Sequence, residues 1–182
     1  MNGKISAYDI AAIAVMSALL EAVKVALNAI PNVELVSFLL IVFTLYFGIR
    51  KTLIASWIFT AIEIMTWGLR LWVVFYIYTW PVLIICVYLF RKHDNALLFA
   101  VISGVFGLCF GALSSIVYIL MGDPAMAFSW WLSGLSFDAV HGASNFCIAL
   151  VLYRPAMSAL KRVPRTKVMH KEEKGDRDVR EQ

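Results

Sequence analysis

Charge is what this chain has least of. Asp, Glu, Lys and Arg make up 15% of its 182 residues, where ordinary soluble domains carry about 25%. Cysteine is nearly as scarce. Cys86, Cys109 and Cys147 all sit inside apolar runs, with no spacing of a metal site, so they read as structural thiols. The sequence holds no G-x-x-x-x-G-K-[ST] loop, no G-x-S-x-G turn and no H-E-x-x-H pair. Those absences argue against a nucleotide motor, an α/β-hydrolase nucleophile and a zinc protease in this chain. Asp138 and His141 are two possible ligands, too few for a zinc site. No metal, cofactor or catalytic chemistry is expected. There is also no inverted repeat of the kind secondary transporters use. The net charge of +4 does not point to nucleic acid. Nine of the 16 basic and five of the 12 acidic residues fall from Arg154 onward, leaving seven of each before it. Basic residues beside a span suit anionic membrane lipid instead.

What the chain has is apolar length. It is 62% hydrophobic, against about 45–50% for soluble domains, with a mean hydropathy of +0.80. The expected fold is an all-α membrane protein, a six-transmembrane-helix bundle. Its spans lie at about 10–28, 33–47, 52–67, 71–90, 96–121 and 127–153, near the roughly 17–25 residues a crossing needs. Pro81 predicts a kink in the fourth. The links leave room only for turns, so neighbouring helices are antiparallel. With six spans, Lys4, Arg50, Lys51, Arg91, Lys92, Arg154, Lys161, Arg162, Arg165 and Lys167 share one side. Both termini are then cytoplasmic and the protein is multi-pass in the cell membrane. The first run holds Glu21 and Lys24 after a single Lys, so it does not read as a cleaved signal peptide. Residues 1–163 form one membrane domain. Residues 164–182 are charged, without apolar periodicity, and are expected to be a disordered cytoplasmic tail.

On this topology the polar residues are unevenly placed. Glu21, Lys24, Asn28, Asn32, Glu34, Glu63 and Asp138 all fall in the outer half or near the midplane. At 1.5 Å per residue, Lys24 lies about 6 Å, Glu21 about 10 Å and Asp138 about 15 Å below the outer helix ends. The inner half has almost no charge until the basic loops. This describes a pocket open to the outside, whereas a channel needs polar lining through its full depth. In the last run, Trp131, Asp138, His141 and Asn145 form one stripe at about 100° per residue. A carboxylate there costs roughly 2.5–3.5 kcal/mol if it faces lipid, so the stripe faces the bundle. Interhelical packing, with Asp138 bonded to His141 one turn on, competes with a binding role. An i, i+3 pair of Glu21 and Lys24 is the equivalent alternative on the first span. Aromatics including Trp67, Trp72, Tyr76, Trp130 and Trp131 gather on the outer side. An interfacial belt accounts for most of them, and Trp131 is the one assigned to a ligand. Ala14, Ala18, Ala22 and Ala26 form a small-residue ridge on the first span, and Gly107 and Gly111 another on the fifth. Both suit close helix packing, and Ala14 and Ala18 also suit docking of another membrane subunit.

Two blocks carry a family resemblance. One is Ile30-Pro31-Asn32-Val33-Glu34-Leu35-Val36-Ser37-Phe38. The other is Gly134-Leu135-Ser136-Phe137-Asp138-Ala139-Val140-His141-Gly142-Ala143-Ser144-Asn145-Phe146, followed by Leu152-Tyr153-Arg154-Pro155. With these, the chain resembles the substrate-binding S components of energy-coupling factor (ECF) transporters over about residues 5–163. The resemblance implies capture of a vitamin from outside and its delivery through a transmembrane T subunit and two ATPase subunits. It implies docking through Ala14 and Ala18, more weakly through Ser56 and Thr60 on the third span, and an outer gating loop that includes Asn32 and Glu34. The expected binding set is Trp131, Asp138, His141 and Asn145, with Glu63, Trp67, Glu21, Lys24 and Asn28 around it. Cobalamin or a precursor, pantothenate and pyridoxine-type vitamins are all candidate solutes. A self-sufficient proton-coupled secondary transporter, with Glu63 or Asp138 as proton site, is the alternative. A small membrane enzyme using Asp138 and His141 as an acid–base pair is a third reading.

Overall fold

The computed structural model describes residues 5–162. The expected disordered tail at 164–182, with Lys4, Arg165 and Lys167, lies outside the described residues. Eight helices follow in order: α1 (Ala7–Leu27), α2 (Val36–Phe47), α3 (Ile49–Trp67), α4 (Leu71–Val74), α5 (Tyr76–Leu89), α6 (Ala96–Leu108), α7 (Phe110–Leu120) and α8 (Pro124–Leu160). No strand occurs among the described residues. Helix covers each of the six expected stretches. Three helical segments are long and apolar enough to cross a membrane: Ala7–Leu27, Leu71–Leu89 and Pro124–Leu160. A fourth is Ala96–Leu108 with Phe110–Leu120, two pieces bent by 43°. α2 is shorter, at 12 residues, and α3 is diluted by Arg50, Lys51 and Glu63.

Local chemistry sets the helix limits. Ser6 and Asp9 form a reciprocal capping box at the start of α1. Asn95 and Asp123 cap α6 and α8 through their side chains. Gly48 and Gly68, at φ 86° and 79°, turn the chain sharply at either end of α3, in a region that glycine enters without a Cβ clash. α8 runs past Pro155 to Leu160, beyond the expected end at 153, because Ala156, Met157 and Leu160 still pack on the core.

Pro81 does not break its helix. The interruption falls at Phe75, between α4 and α5, and Pro81 sits inside α5. A proline removes the hydrogen bond to the carbonyl four residues back, here Ile77. The Trp57 indole of α3 donates to that carbonyl at 3.3 Å. A side chain of the neighbouring helix thus replaces the missing backbone donor.

α8 packs mainly on α6 and α7, α1 on α3, and α2 on α5. A Cβ on Gly107 would lie 2.8 Å from the Gly142 Cα, so α6 and α8 touch backbone to backbone there. The core is solid below the polar end, with Leu20, Leu40, Ile41, Phe59 and Ile84 all at 0% exposure. Large apolar side chains such as Ile10, Val15, Val140 and Val151 face outward, as suits a lipid surround. Lys51 pairs with Asp9 at 2.6 Å, and Arg154 stands 3.7 Å from Asp94. The first ties the start of α1 to the α2–α3 link and the second ties α8 to the α5–α6 link, in each helix about 15 residues from the Lys24 and Asp138 positions.

Candidate functional site

At the opposite end lies a cavity of about 410 Å³, at the lower end of the roughly 300–1,000 Å³ typical of small-molecule sites. Its wall combines Lys24 from α1, Asn32 and Glu34 from the α1–α2 loop, and Trp72, Phe75, Tyr76 and Trp80 from α4–α5. Phe110, Gly111 and Ser114 of α7 and Trp130, Phe137, Asp138 and His141 of α8 complete it. The surface is mostly apolar, with aromatic rings contributed by α4, α5, α7 and α8, and a few polar groups converge on it.

Asp138 is held by a break in the neighbouring helix. α6 ends at Leu108 and α7 begins at Phe110, so the Gly111 N–H is in the first turn of a new helix. First-turn amides have no partner within their own helix. That of Gly111 donates to Asp138 Oδ1 at 2.9 Å, and the helix N-terminus favours the negative charge. A Cβ on Gly111 would strike the same carboxylate. Asp138 is 5% exposed, and its other oxygen, Oδ2, has no partner.

Lys24 reaches across to Glu63 of α3 and forms an ion pair with it. Its ammonium also lies 4.7 Å from the Trp72 ring centre and 5.5 Å from that of Tyr76, within cation–π range. Glu21, one turn earlier, keeps a buried oxygen without a partner. Of the two readings of Lys24, the local pair with Glu21 therefore gives way to a link between helices. His141 likewise does not bond Asp138. Its Nε2 stands 3.3 Å from Glu34 Oε1, while the Ser37 N–H donates to Glu34 Oε2 at 2.8 Å. Glu34 lies in the loop before α2.

The α1–α2 loop closes over this region. Asn32 takes φ 60°, a left-handed conformation that Asn tolerates better than most residues. Its carbonyl accepts from Ser144 Oγ of α8 at 2.9 Å. Asn32 and Glu34 thus bind the loop to α8 directly above the cavity.

Other expected residues stand elsewhere. Trp131 is 38% exposed and stacks edge-on against Phe128, away from the cavity. Trp130 lines it instead, donating from its indole to Ser114 Oγ at 3.0 Å. Asn145 and Glu63 are buried behind the wall. Trp67 packs at the rim against Trp72, and Asn28 is exposed. Among the residues expected to dock a partner, Ala14 and Ala18 are exposed and floor an apolar groove between α1 and α3. Ser56 and Thr60 are not available for docking. They are 0% and 3% exposed, and their hydroxyls donate to the carbonyls of Leu53 and Ser56. Their polarity is spent inside the bundle.

Compared with known proteins, the chain matches no family model, no curated protein and no solved structure.

Proposed function

We propose that the chain is the substrate-capture subunit of an ECF-type membrane importer, binding a compact vitamin-like solute and altering no bond in it. On this reading it crosses the cell membrane six times with both termini in the cytoplasm. The basic residues then lie inside and the cavity opens outside. The observation that carries the reading is the cavity: aromatic and polar, confined to one end, over a core filled with apolar side chains. Such a site can hold a solute but offers it no route through the bundle. Release inside then needs a second component, and the exposed groove at Ala14 and Ala18 gives a T subunit a place to dock. The cavity's size favours the smaller vitamins over cobalamin.

The unpartnered carboxylate of Asp138 also suits a proton site, which keeps a proton-coupled secondary transporter as the second reading. Uptake into cells separates the two. Capture predicts that transport of the bound solute requires a T subunit and ATPases and resists a proton ionophore. Replacing Ala18 with Trp is expected to reduce uptake at least tenfold while solute binding stays intact. Uptake by the chain alone that collapses with the ionophore would favour the secondary transporter.

A further inference from the structure

The cavity's charges are not balanced by its own residues. Glu21, Glu34, Glu63 and Asp138 gather at this end of the bundle with Lys24 and His141 as the cationic or potentially cationic partners. Lys24 is committed to Glu63 and covered by two rings, and His141 faces Glu34. Asp138 has the Gly111 amide on one oxygen and nothing on the other, although the side chain is 5% exposed and lines the cavity. A buried anion left without a counter-charge is costly, and a ligand that brings the charge removes that cost. The remaining wall is aromatic, and ring faces attract cations. Trp80 adds a buried indole N–H without a partner. An anionic solute would find the lysine already taken.

We infer that the solute is a flat, singly charged heteroaromatic cation that pairs with the Asp138 carboxylate between the aromatic walls. This rests on the capture reading for its biological meaning, but not for its test. The probes are protonated 4-aminoquinoline, its neutral isostere 1-aminonaphthalene and the anion 1-naphthoate. Each is titrated calorimetrically into the purified protein, with the heat of the detergent alone subtracted. The cation is expected to bind saturably at one per chain, at least tenfold more tightly than either other probe. Asp138→Asn keeps an acceptor for the Gly111 amide and removes the charge. It is expected to lower the cation's affinity at least tenfold and leave that of 1-aminonaphthalene unchanged. Equal binding of cation and isostere, no saturable binding of the cation, or an Asp138→Asn variant that binds it as before would each overturn the inference. A native solute found to be neutral or anionic would do the same while leaving capture intact. Uptake that needs no partner would remove capture and leave the cation site standing.

Discussion

Lys24→Met is expected to destabilise the protein by about 3–5 kcal/mol, because it strands a carboxylate inside the bundle. Glu63 is 0% exposed. Lys24 is its only ion-pair partner among the described residues, and the other Glu63 oxygen has no partner. A drop of that size corresponds to roughly 6–20 °C in apparent Tm for a chain of this length. Glu63→Gln on top of Lys24→Met takes away the stranded charge and is expected to restore most of the loss. That rescue separates a buried pair from a surface one, for which the single change costs under about 1 kcal/mol and the second brings nothing back. Thermal unfolding of the two single variants and the double variant in one detergent makes the comparison.

Gly111→Ala acts on the site rather than on the fold. The added methyl falls on the Asp138 carboxylate, a mobile side-chain end, so Asp138 turns away and the helices stay together. Solute affinity is expected to fall at least tenfold with little change in Tm. Combined with Asp138→Asn, it is expected to cost no more than the worse single variant, since both changes disable one interaction. Full additivity in calorimetry would show that Gly111 and Asp138 act separately. The contrast is Gly107→Ala, where the clash is with the Gly142 backbone at 2.8 Å and cannot be relieved by a rotamer.

These residues also show what can be read from sequence. The six helical stretches were legible because apolar runs of the right length are separated by glycine, charge and turn residues. Asn32, Glu34, Lys24 and Asp138 were legible as polar residues expected to gather on one side of the bundle, and His141 by its place in the Asp138 stripe, and all five line the cavity. Trp130 was not. A stripe centred on Asp138 places Trp131 about 20° to the side away from His141, and Trp130 about 80° to the same side as His141. The cavity is centred on the His141 side, so Trp130 belongs to it. Periodicity gives the relative angles of side chains but not the direction of the neighbouring helix.

The break at Cys109 was equally hidden, since no proline marks it. Gly107 and Gly111 read as one packing ridge. In the structure Gly107 meets a helix backbone, while Gly111 makes room for a carboxylate. The partner of Lys24 was hidden for a related reason. Glu21 and Lys24 are neighbours in sequence, but Lys24 found a more deeply buried carboxylate 39 residues away. Ser56 and Thr60 sit at the spacing of a docking ridge, yet they face the core.

The most direct test of solute capture is native mass spectrometry of the intact protein purified from cells grown in rich medium, with any released small molecule identified. The account predicts one compact organic molecule per chain, retained through purification and lost from the Asp138→Ala variant. A protein that is empty and also fails to bind a panel of vitamins and flat cations would contradict it.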